Sequence, residues 1–90
     1  MIAKRIYFEG KVQGVGFRYT TKRIAMGFDV VGSVANLPDG RVCLEVAGDS
    51  EEVADFIEEV QEGELAGFIR EFHIEDVPLP VDWQGFEIAR

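Results

Sequence analysis

Residues 10–18 read Gly-Lys-Val-Gln-Gly-Val-Gly-Phe-Arg and connect a segment with strand periodicity to one with helix periodicity. Glycines at Gly14 and Gly16 allow the backbone to turn tightly and to bring its N–H groups close to a ligand. The start of the following helix adds unpaired N–H groups and a partial positive charge. Arg18 adds a planar fork of donors that suits a phosphate group. The stretch therefore predicts a cradle for a small anion at a strand–loop–helix junction.

The segments on either side of this junction predict an α+β fold. Ile6 and Phe8 alternate with Arg5, Tyr7 and Glu9, which is the period of a strand. The other predicted elements are a helix at about 17–26, strands at 30–36 and 41–47, a helix at 50–62, a strand at 68–77 and a short strand at 85–89. This order predicts a ferredoxin-like βαββαβ sandwich, in which an antiparallel sheet carries two helices on one face, plus a short C-terminal strand.

Local patterns add detail to the hairpin and to the second helix. Leu37–Gly40 reads Leu-Pro-Asp-Gly, a turn signal between two strands. Asp49 followed three residues later by Glu52 predicts a capping box at the start of the second helix. An apolar stripe at helical spacing predicts the buried face of that helix. The stripe consists of Val53, Phe56, Ile57 and Val60.

Length and composition indicate a single domain over residues 1–90. Hydrophobic residues make up 47% of the chain, which is enough for a core and argues against disorder. The single Cys43 excludes an internal disulfide and a cysteine-based metal cluster. Residues 1–5 do not resemble a signal peptide, and the apolar runs are too short for a membrane span. These features together favour a cytoplasmic protein.

The distribution of charge favours a small anionic ligand over a polyanion. The net charge is −8, which argues against binding to nucleic acid or to an anionic membrane. Residues 1–23 hold six basic residues and one acidic residue, a charge of +5, whereas residues 24–90 carry −13. The predicted cradle therefore lies in the one positive part of an acidic chain.

A second segment, Gly32–Gly48, carries the other candidate site residue. Asn36 lies where a strand enters its hairpin turn, and its amide can both donate and accept hydrogen bonds. It could therefore orient a water molecule. It could instead cap the turn through its side chain, as asparagine often does. The residues alone favour the capping interpretation and leave the other open.

Taken together, Gly10–Arg18 and Gly32–Gly48 resemble the two sequence motifs of the acylphosphatase family, with Asn36, Gly40 and Val42 at the family spacing. The resemblance covers nearly the whole chain. It implies hydrolysis of the carboxyl–phosphate bond of acyl phosphates to a carboxylate and inorganic phosphate. It also implies that Arg18 and Asn36 are catalytic, Asn36 by positioning the attacking water.

The resemblance further implies how the ligand is held. The phosphate would be bound by Arg18 and by the backbone N–H groups of the loop, which are those of Gly14, Val15, Gly16, Phe17 and Arg18. No metal or cofactor is expected. The partners expected of the chain are a small acyl phosphate and phosphate or sulfate as a bound anion, with the protein acting as a monomer. Three positions depart from the family pattern: Ser33 replaces a usual aromatic residue, Ala35 a common basic residue and Phe8 a usual aliphatic one.

Other residues with ionisable or reactive side chains are predicted to lie outside the site. His73 shares its strand parity with Glu71 and Glu75, and is predicted to be a solvated strand residue rather than a catalytic group or a metal ligand. Cys43 is predicted to be a structural or exposed thiol. The acidic residues at 51–62 predict a solvated helix face.

Two rival functions use the same fold. An RNA-binding module would present aromatic side chains such as Tyr7 on a basic sheet face. A catalytically silent relative would keep only anion binding or protein interaction, and a detached form of the acylphosphatase-like domain of hydrogenase-maturation carbamoyltransferases is a variant of this possibility. Such a silent relative would still bind an anion in the cradle but would not hydrolyse a substrate.

Overall fold

A computed structural model describes residues 1–80 and 82–89 and contains two helices and five strands in that part of the chain. The strands are β1 (Ile2–Gly10), β2 (Val30–Asn36), β3 (Val42–Gly48), β4 (Ile69–Asp76) and β5 (Phe86–Ile88). The helices are α1 (Phe17–Ala25) and α2 (Ser50–Glu62), and a short 3₁₀ turn over Ala66–Phe68 precedes β4. The predicted elements are thus confirmed, and their bounds shift by one or two residues at several ends.

The five strands form one mixed sheet in the order β4-β1-β3-β2-β5. The pairs β1–β3, β1–β4 and β2–β3 are antiparallel, as predicted. The short terminal strand instead joins the free edge of β2 in parallel, with Gly32 opposite Phe86 and Val34 opposite Ile88. This parallel pairing places β5 next to the strand that carries Asn36.

The core lies between one face of the sheet and the two helices. Ile6 and Phe8 on β1 and Leu44 on β3 point into the same buried cluster as the apolar face of α2, so both helices cover one side of the sheet. The alternate residues Arg5 and Tyr7 on β1 are only half-buried on the other side. The period-two pattern of the sequence is thereby confirmed as the division between a covered and an open face.

The predicted capping box at the start of α2 is wrong. Asp49 occupies the N-cap position with an extended backbone (φ −61°, ψ 144°), but its side chain makes no capping hydrogen bond. Glu52 accepts a hydrogen bond at 2.7 Å from the backbone N–H of Asp29, at the start of the segment leading into β2. A tertiary partner has replaced the local one, because the loop after α1 passes within reach of the first turn of α2.

The predicted inward stripe of α2 is confirmed, and it supplies a test of the packing. Phe56 is fully buried, with its ring centroid 5.9 Å from that of Phe28 and 5.7 Å from that of Phe86. We expect Phe56→Ala to lower the free energy of unfolding by about 3–5 kcal/mol, because it removes a large side chain and leaves a cavity. Urea unfolding measures this loss. Asp55→Ala, on the exposed face of the same helix, should change it by about 0.5 kcal/mol or less. A loss below about 1 kcal/mol for Phe56→Ala would contradict the packing described here.

In the described part of the chain, neither helix combines the length and the apolar character needed to cross a lipid bilayer.

Candidate functional site

The junction loop, residues 11–16, carries β1 into α1 through two glycines in the left-handed region. Gly14 has φ 79° and Gly16 has φ 77°, values that residues with a Cβ atom rarely adopt. A Cβ atom at either position would meet no atom within 4 Å, so the backbone conformation and not crowding calls for glycine. The absence of a side chain at Gly14 and at Gly16 leaves the backbone at these two positions open to a ligand.

The N-terminus of α1 lies directly behind the loop. Gly16 is its N-cap, and the Gly16 carbonyl accepts the first helical hydrogen bond from the Thr20 N–H at 3.0 Å. The N–H groups ahead of Thr20 have no partner within the helix, and they sit at the positive end of its dipole. The first turn contains no acidic residue that would occupy them. Arg18, in that first turn, adds a full positive charge.

The loop, the helix start and the end of β2 meet at one cavity of about 180 Å³. The residues predicted from the two sequence motifs come together here, because Gly14, Gly16, Phe17, Arg18 and Asn36 all line it. Val15 belongs to the same loop and is partly exposed, but its side chain does not line the cavity. The lining is completed by Val12, Tyr19 and Ile88.

The side chains of Arg18 and Asn36, which belong to this cavity, are free to bind a ligand. Within residues 1–80 and 82–89, no side-chain hydrogen bond or ion pair engages Arg18 or Asn36. Both side chains are half-buried. Residues that carry a guanidinium fork, an amide and the free N–H groups of a helix start thus line one small space, and together these groups can bind a tetrahedral anion and orient one water molecule.

The hairpin turn, residues 37–41, is held by side chains other than Asn36. The Asp39 carboxylate accepts hydrogen bonds from the Arg41 backbone N–H at 3.1 Å and from Arg41 Nε at 2.8 Å. These contacts lower the pKa of the Asp39 carboxyl, the backbone N–H contributing most. The Arg41 guanidinium also lies 4.5 Å from the centroid of the Tyr7 ring. These contacts therefore hold the turn in a defined conformation directly after Asn36.

Three residues around the cavity were not identified from the sequence. Gln13 joins the junction loop to the hairpin turn through two hydrogen bonds of its amide nitrogen. Tyr19 and Ile88 also line the cavity, and both are exposed to solvent. Gln13 was visible inside the first motif, but nothing in local periodicity indicates a bond across 24 residues of chain. Ile88 reaches the site only through the parallel pairing of β5 with β2.

The other candidate residues lie away from this cavity. His73 is exposed on β4 opposite Tyr7, as predicted. Cys43 is half-buried on the open face of the sheet, and burial raises the pKa of its thiol, which disfavours the reactive thiolate. In the described ranges, no group of three or more metal-ligating side chains comes together.

The open face of the sheet differs from a surface that binds RNA. Arg5 forms ion pairs with Glu45 at 2.9 Å and with Glu75 at 3.3 Å, so its charge is already neutralised. Arg41 lies over the ring of Tyr7. Tyr7, the aromatic residue considered for stacking, is thus partly covered, and both Arg5 and Arg41 have acidic partners.

A second, larger cavity of about 370 Å³ lies between β2 and the segment that precedes β5. The described residues that line it are Gly32, Ser33, Asp82, Trp83, Gln84 and Glu87. Ser33 is one of the three positions that depart from the family pattern, and the aromatic ring of Trp83 lines the same cavity. None of these residues lines the cavity of Arg18 and Asn36.

Comparison with known proteins agrees with the sequence motifs and with the fold. The acylphosphatase family model matches residues 4–88. The chain is 38% identical over 89 residues to the acylphosphatase of Archaeoglobus fulgidus, with 99% of each chain covered. It superposes on the crystal structure of acylphosphatase from Bacillus subtilis with a TM-score of 0.90 and 30% identity, with each chain fully covered.

A second kind of match is to part of a longer protein. Full-length HypF, crystallised in a phosphate- and nucleotide-bound form, matches with a TM-score of 0.86 and 28% identity. That match covers 99% of this chain and 12% of HypF. The family model, the curated relative and the structure from Bacillus subtilis agree over almost the entire length, and they show that this chain belongs to the acylphosphatase family of hydrolases.

Proposed function

We propose that the chain hydrolyses acyl phosphates by holding the phosphate in the loop cavity and orienting one water molecule with Asn36. Arg18 and the backbone N–H groups of residues 14–18 bind the phosphate oxygens. The observation that carries the proposal is that Arg18 and Asn36, 18 positions apart in sequence, line one cavity with the open start of α1. Membership of the acylphosphatase family supports the reaction type.

Hydrolysis of an acyl phosphate requires the protein mainly to neutralise the phosphate charge and to position a water molecule. An acyl phosphate is a mixed anhydride with a good carboxylate leaving group, so no covalent intermediate is required. Water oxygen bonds to phosphorus, the bond from phosphorus to the acyl oxygen breaks, and the carboxylate leaves with the bonding electron pair. Arg18 and the helix start neutralise the phosphate charge, and Asn36 aims the water in line with the breaking bond.

The proton of the attacking water passes to a phosphate oxygen of the substrate. Among the described residues that line the cavity, in 1–80 and 82–89, none is a carboxylate or a histidine that could act as a general base at neutral pH. The substrate oxygen is adjacent to the attacked phosphorus and becomes part of the inorganic phosphate that is released. This route therefore balances the reaction without a further protein group.

The arrangement of the hairpin turn supports a role for Asn36 in orienting water. If Asn36 served to cap the turn, its amide would be bonded to the turn backbone. The side-chain bonds of the turn come instead from Asp39 and Gln13, and within the described residues the Asn36 amide has none. An amide that is half-buried beside an anion cradle and left without a protein partner is suited to hold a water molecule.

Hydrolysis of acetyl phosphate, followed as release of inorganic phosphate, tests the proposed function directly. Turnover by the purified chain that is lost in Arg18→Ala is the expected result, since the variant excludes a contaminating phosphatase. The alternative is a catalytically silent module that binds anions or another protein. It predicts that phosphate or sulfate binds at the loop while acetyl phosphate is not turned over.

We expect activity to be independent of metal ions. Arg18 and the backbone donors supply the positive field that a magnesium ion supplies in many other phosphoryl-transfer enzymes. Acetyl phosphate hydrolysis should therefore be unchanged, within experimental error, after exhaustive treatment with EDTA. Complete loss of activity in EDTA, followed by recovery on addition of a divalent metal, would contradict this expectation.

We further propose that residues 1–90 form one domain that acts as a cytoplasmic monomer on a small-molecule substrate and binds no nucleic acid. A single buried cluster that draws on β1, β2, β3, α1 and α2 supports the assignment of one domain. The net charge of −8 supports the absence of nucleic-acid binding. Inorganic phosphate, the product, is the anion expected to occupy the loop between turnovers.

A further inference from the structure

Gln13 is the residue that ties the junction loop to the hairpin turn. It is half-buried, and its Nε2 donates to the carbonyl oxygen of Leu37 at 2.8 Å and to that of Arg41 at 3.0 Å. One amide nitrogen carries two hydrogens, so both bonds form at once. Among the side-chain hydrogen bonds within the described residues, these two alone join the loop to the turn.

The two acceptors of Gln13 belong to a turn that is already closed. The Leu37 N–H donates to the Arg41 carbonyl at 2.8 Å, and the Gly40 N–H donates to the Leu37 carbonyl at 3.1 Å. The turn thus moves as a unit, and a side chain that holds its two carbonyl oxygens holds the whole of it. Since Leu37 directly follows Asn36, a shift of the turn would also shift Asn36, which is the last residue of β2 and pairs with Val42.

The other end of the link lies at the phosphate-binding part of the loop. Gln13 directly precedes Gly14, which lines the same cavity as Asn36. Gln13 is therefore adjacent in sequence to the phosphate-binding part of the loop. Its side chain reaches the carbonyl oxygen of Leu37, which directly follows Asn36. β1 and β2 do not pair directly, since β3 lies between them in the sheet, and residues 11–16 lie beyond the last residue of β1.

We propose that Gln13 is a positioning residue, whose two hydrogen bonds set the distance and angle between the phosphate cradle and Asn36. The inference rests on the proposed hydrolysis of acyl phosphates. In-line attack demands that the water and the phosphorus be held in one geometry, and a displacement of about 1 Å can cost about 10²-fold in rate. Gln13 touches neither the phosphate nor the water in this scheme, and it acts through the turn.

The chemistry of the link distinguishes glutamine from its nearest replacements. Gln13→Met keeps the length of the side chain but removes both donors. Gln13→Glu keeps the shape, but at neutral pH it presents a carboxylate to two carbonyl oxygens, which repel it. When that carboxyl is protonated it becomes a donor of one hydrogen bond. The glutamate variant should therefore recover part of its activity in acid, and the methionine variant should not.

The test measures kcat and KM for acetyl phosphate, together with the unfolding midpoint, for the wild-type chain and both variants. We expect Gln13→Met to lower kcat by about 10- to 100-fold, with a smaller change in KM, because ground-state binding to Arg18 and the loop is retained. The kcat of Gln13→Glu, divided by that of the wild type, should rise as the pH falls toward about 4.3, the ordinary value for glutamic acid. A residue that served folding alone would show neither the split between kcat and KM nor the recovery in acid.

A double variant separates positioning from a general loss of structure. In Asn36→Ala, the group that Gln13 positions is absent, so Gln13→Met should cost much less in kcat there than in the wild type. Gln61→Met is the matched control, because Gln61 is a half-buried glutamine on α2 whose amide nitrogen has no hydrogen-bond partner within the described residues. It should leave kcat within about 2-fold of the wild type.

The outcomes distinguish failure of this inference from failure of the proposed function. A wild-type chain that does not hydrolyse acetyl phosphate overturns both. An active wild type overturns the positioning role alone if Gln13→Met keeps a kcat within about 2-fold, or if its loss is as large in Asn36→Ala as in the wild type. A glutamate variant whose relative kcat does not rise in acid also overturns it. That measurement applies even where the methionine variant fails to fold.

Discussion

Arg18→Ala is expected to abolish phosphate binding at the loop and to lower kcat/KM for acetyl phosphate by about 10³-fold or more. The size follows from what is lost, since an arginine that neutralises a transferring phosphoryl group contributes about 10³–10⁵ in rate in related chemistry. The remaining N–H groups of the loop and of the helix start supply only partial charges. Steady-state kinetics and the inhibition constant of inorganic phosphate measure the two effects.

Folding should survive this substitution. Arg18 is half-buried, and within the described residues it forms no ion pair that the variant would leave unmatched. We therefore expect the free energy of unfolding to change by about 1 kcal/mol or less. Lys22→Ala is the matched control, because it removes the same charge from the exposed side of the same helix. It should leave kcat/KM nearly unchanged.

The companion Arg18→Lys separates charge from geometry. Lysine keeps the positive charge but offers a single ammonium group in place of a planar fork, so it cannot bind two phosphate oxygens side by side. Poor rescue by lysine would support bidentate binding. If Arg18→Ala retained near-normal turnover and KM, the phosphate site would lie elsewhere, and the second cavity beside Ser33 and Trp83 would be the next place to look.

The parts of this fold that depend on local pattern were predictable, and the parts that depend on distant pairing were not. Alternation around Ile6 and Phe8 and the stripe of Phe56 follow from burial on one face, which leaves a mark in any sequence. The parallel pairing of β5 with β2 produces no local sequence pattern, because it depends on which edge of the sheet β5 reaches. The failed capping box at Glu52 has the same origin, since its partner Asp29 lies 23 residues away.

The candidate site divides in the same way. The glycines and Arg18 lie in one contiguous motif, where conformational freedom and charge can be read directly from the residues. Asn36 could be named from its motif, but its two possible roles could not be separated without the bonds of the neighbouring turn. Gln13 stood inside the first motif, yet its partners Leu37 and Arg41 become visible only when β2 and β3 are folded beside the loop.

Asn36→Ala is expected to lower kcat by about 10²–10³-fold while leaving KM nearly unchanged. An amide that orients the attacking water acts mainly in the transition state, so its loss affects the chemical step more than substrate binding. Loss of one well-oriented hydrogen bond at a reacting centre costs about this much. The measurement is kcat and KM for acetyl phosphate together with the urea unfolding midpoint of the same variant.

The competing role of Asn36, capping of the hairpin turn, predicts the opposite pattern. The variant would then lose about 1 kcal/mol of stability and keep its kcat at low temperature, where it remains folded. Asn36→Asp sharpens the distinction, because aspartate preserves the shape and the turn preference but replaces a donor with a negative charge beside the phosphate. It should fold as well as the wild type and react slowly, since the carboxylate repels the anion that Arg18 holds. An aspartate variant with full activity would leave the water without an orienting donor and would contradict the proposed mechanism.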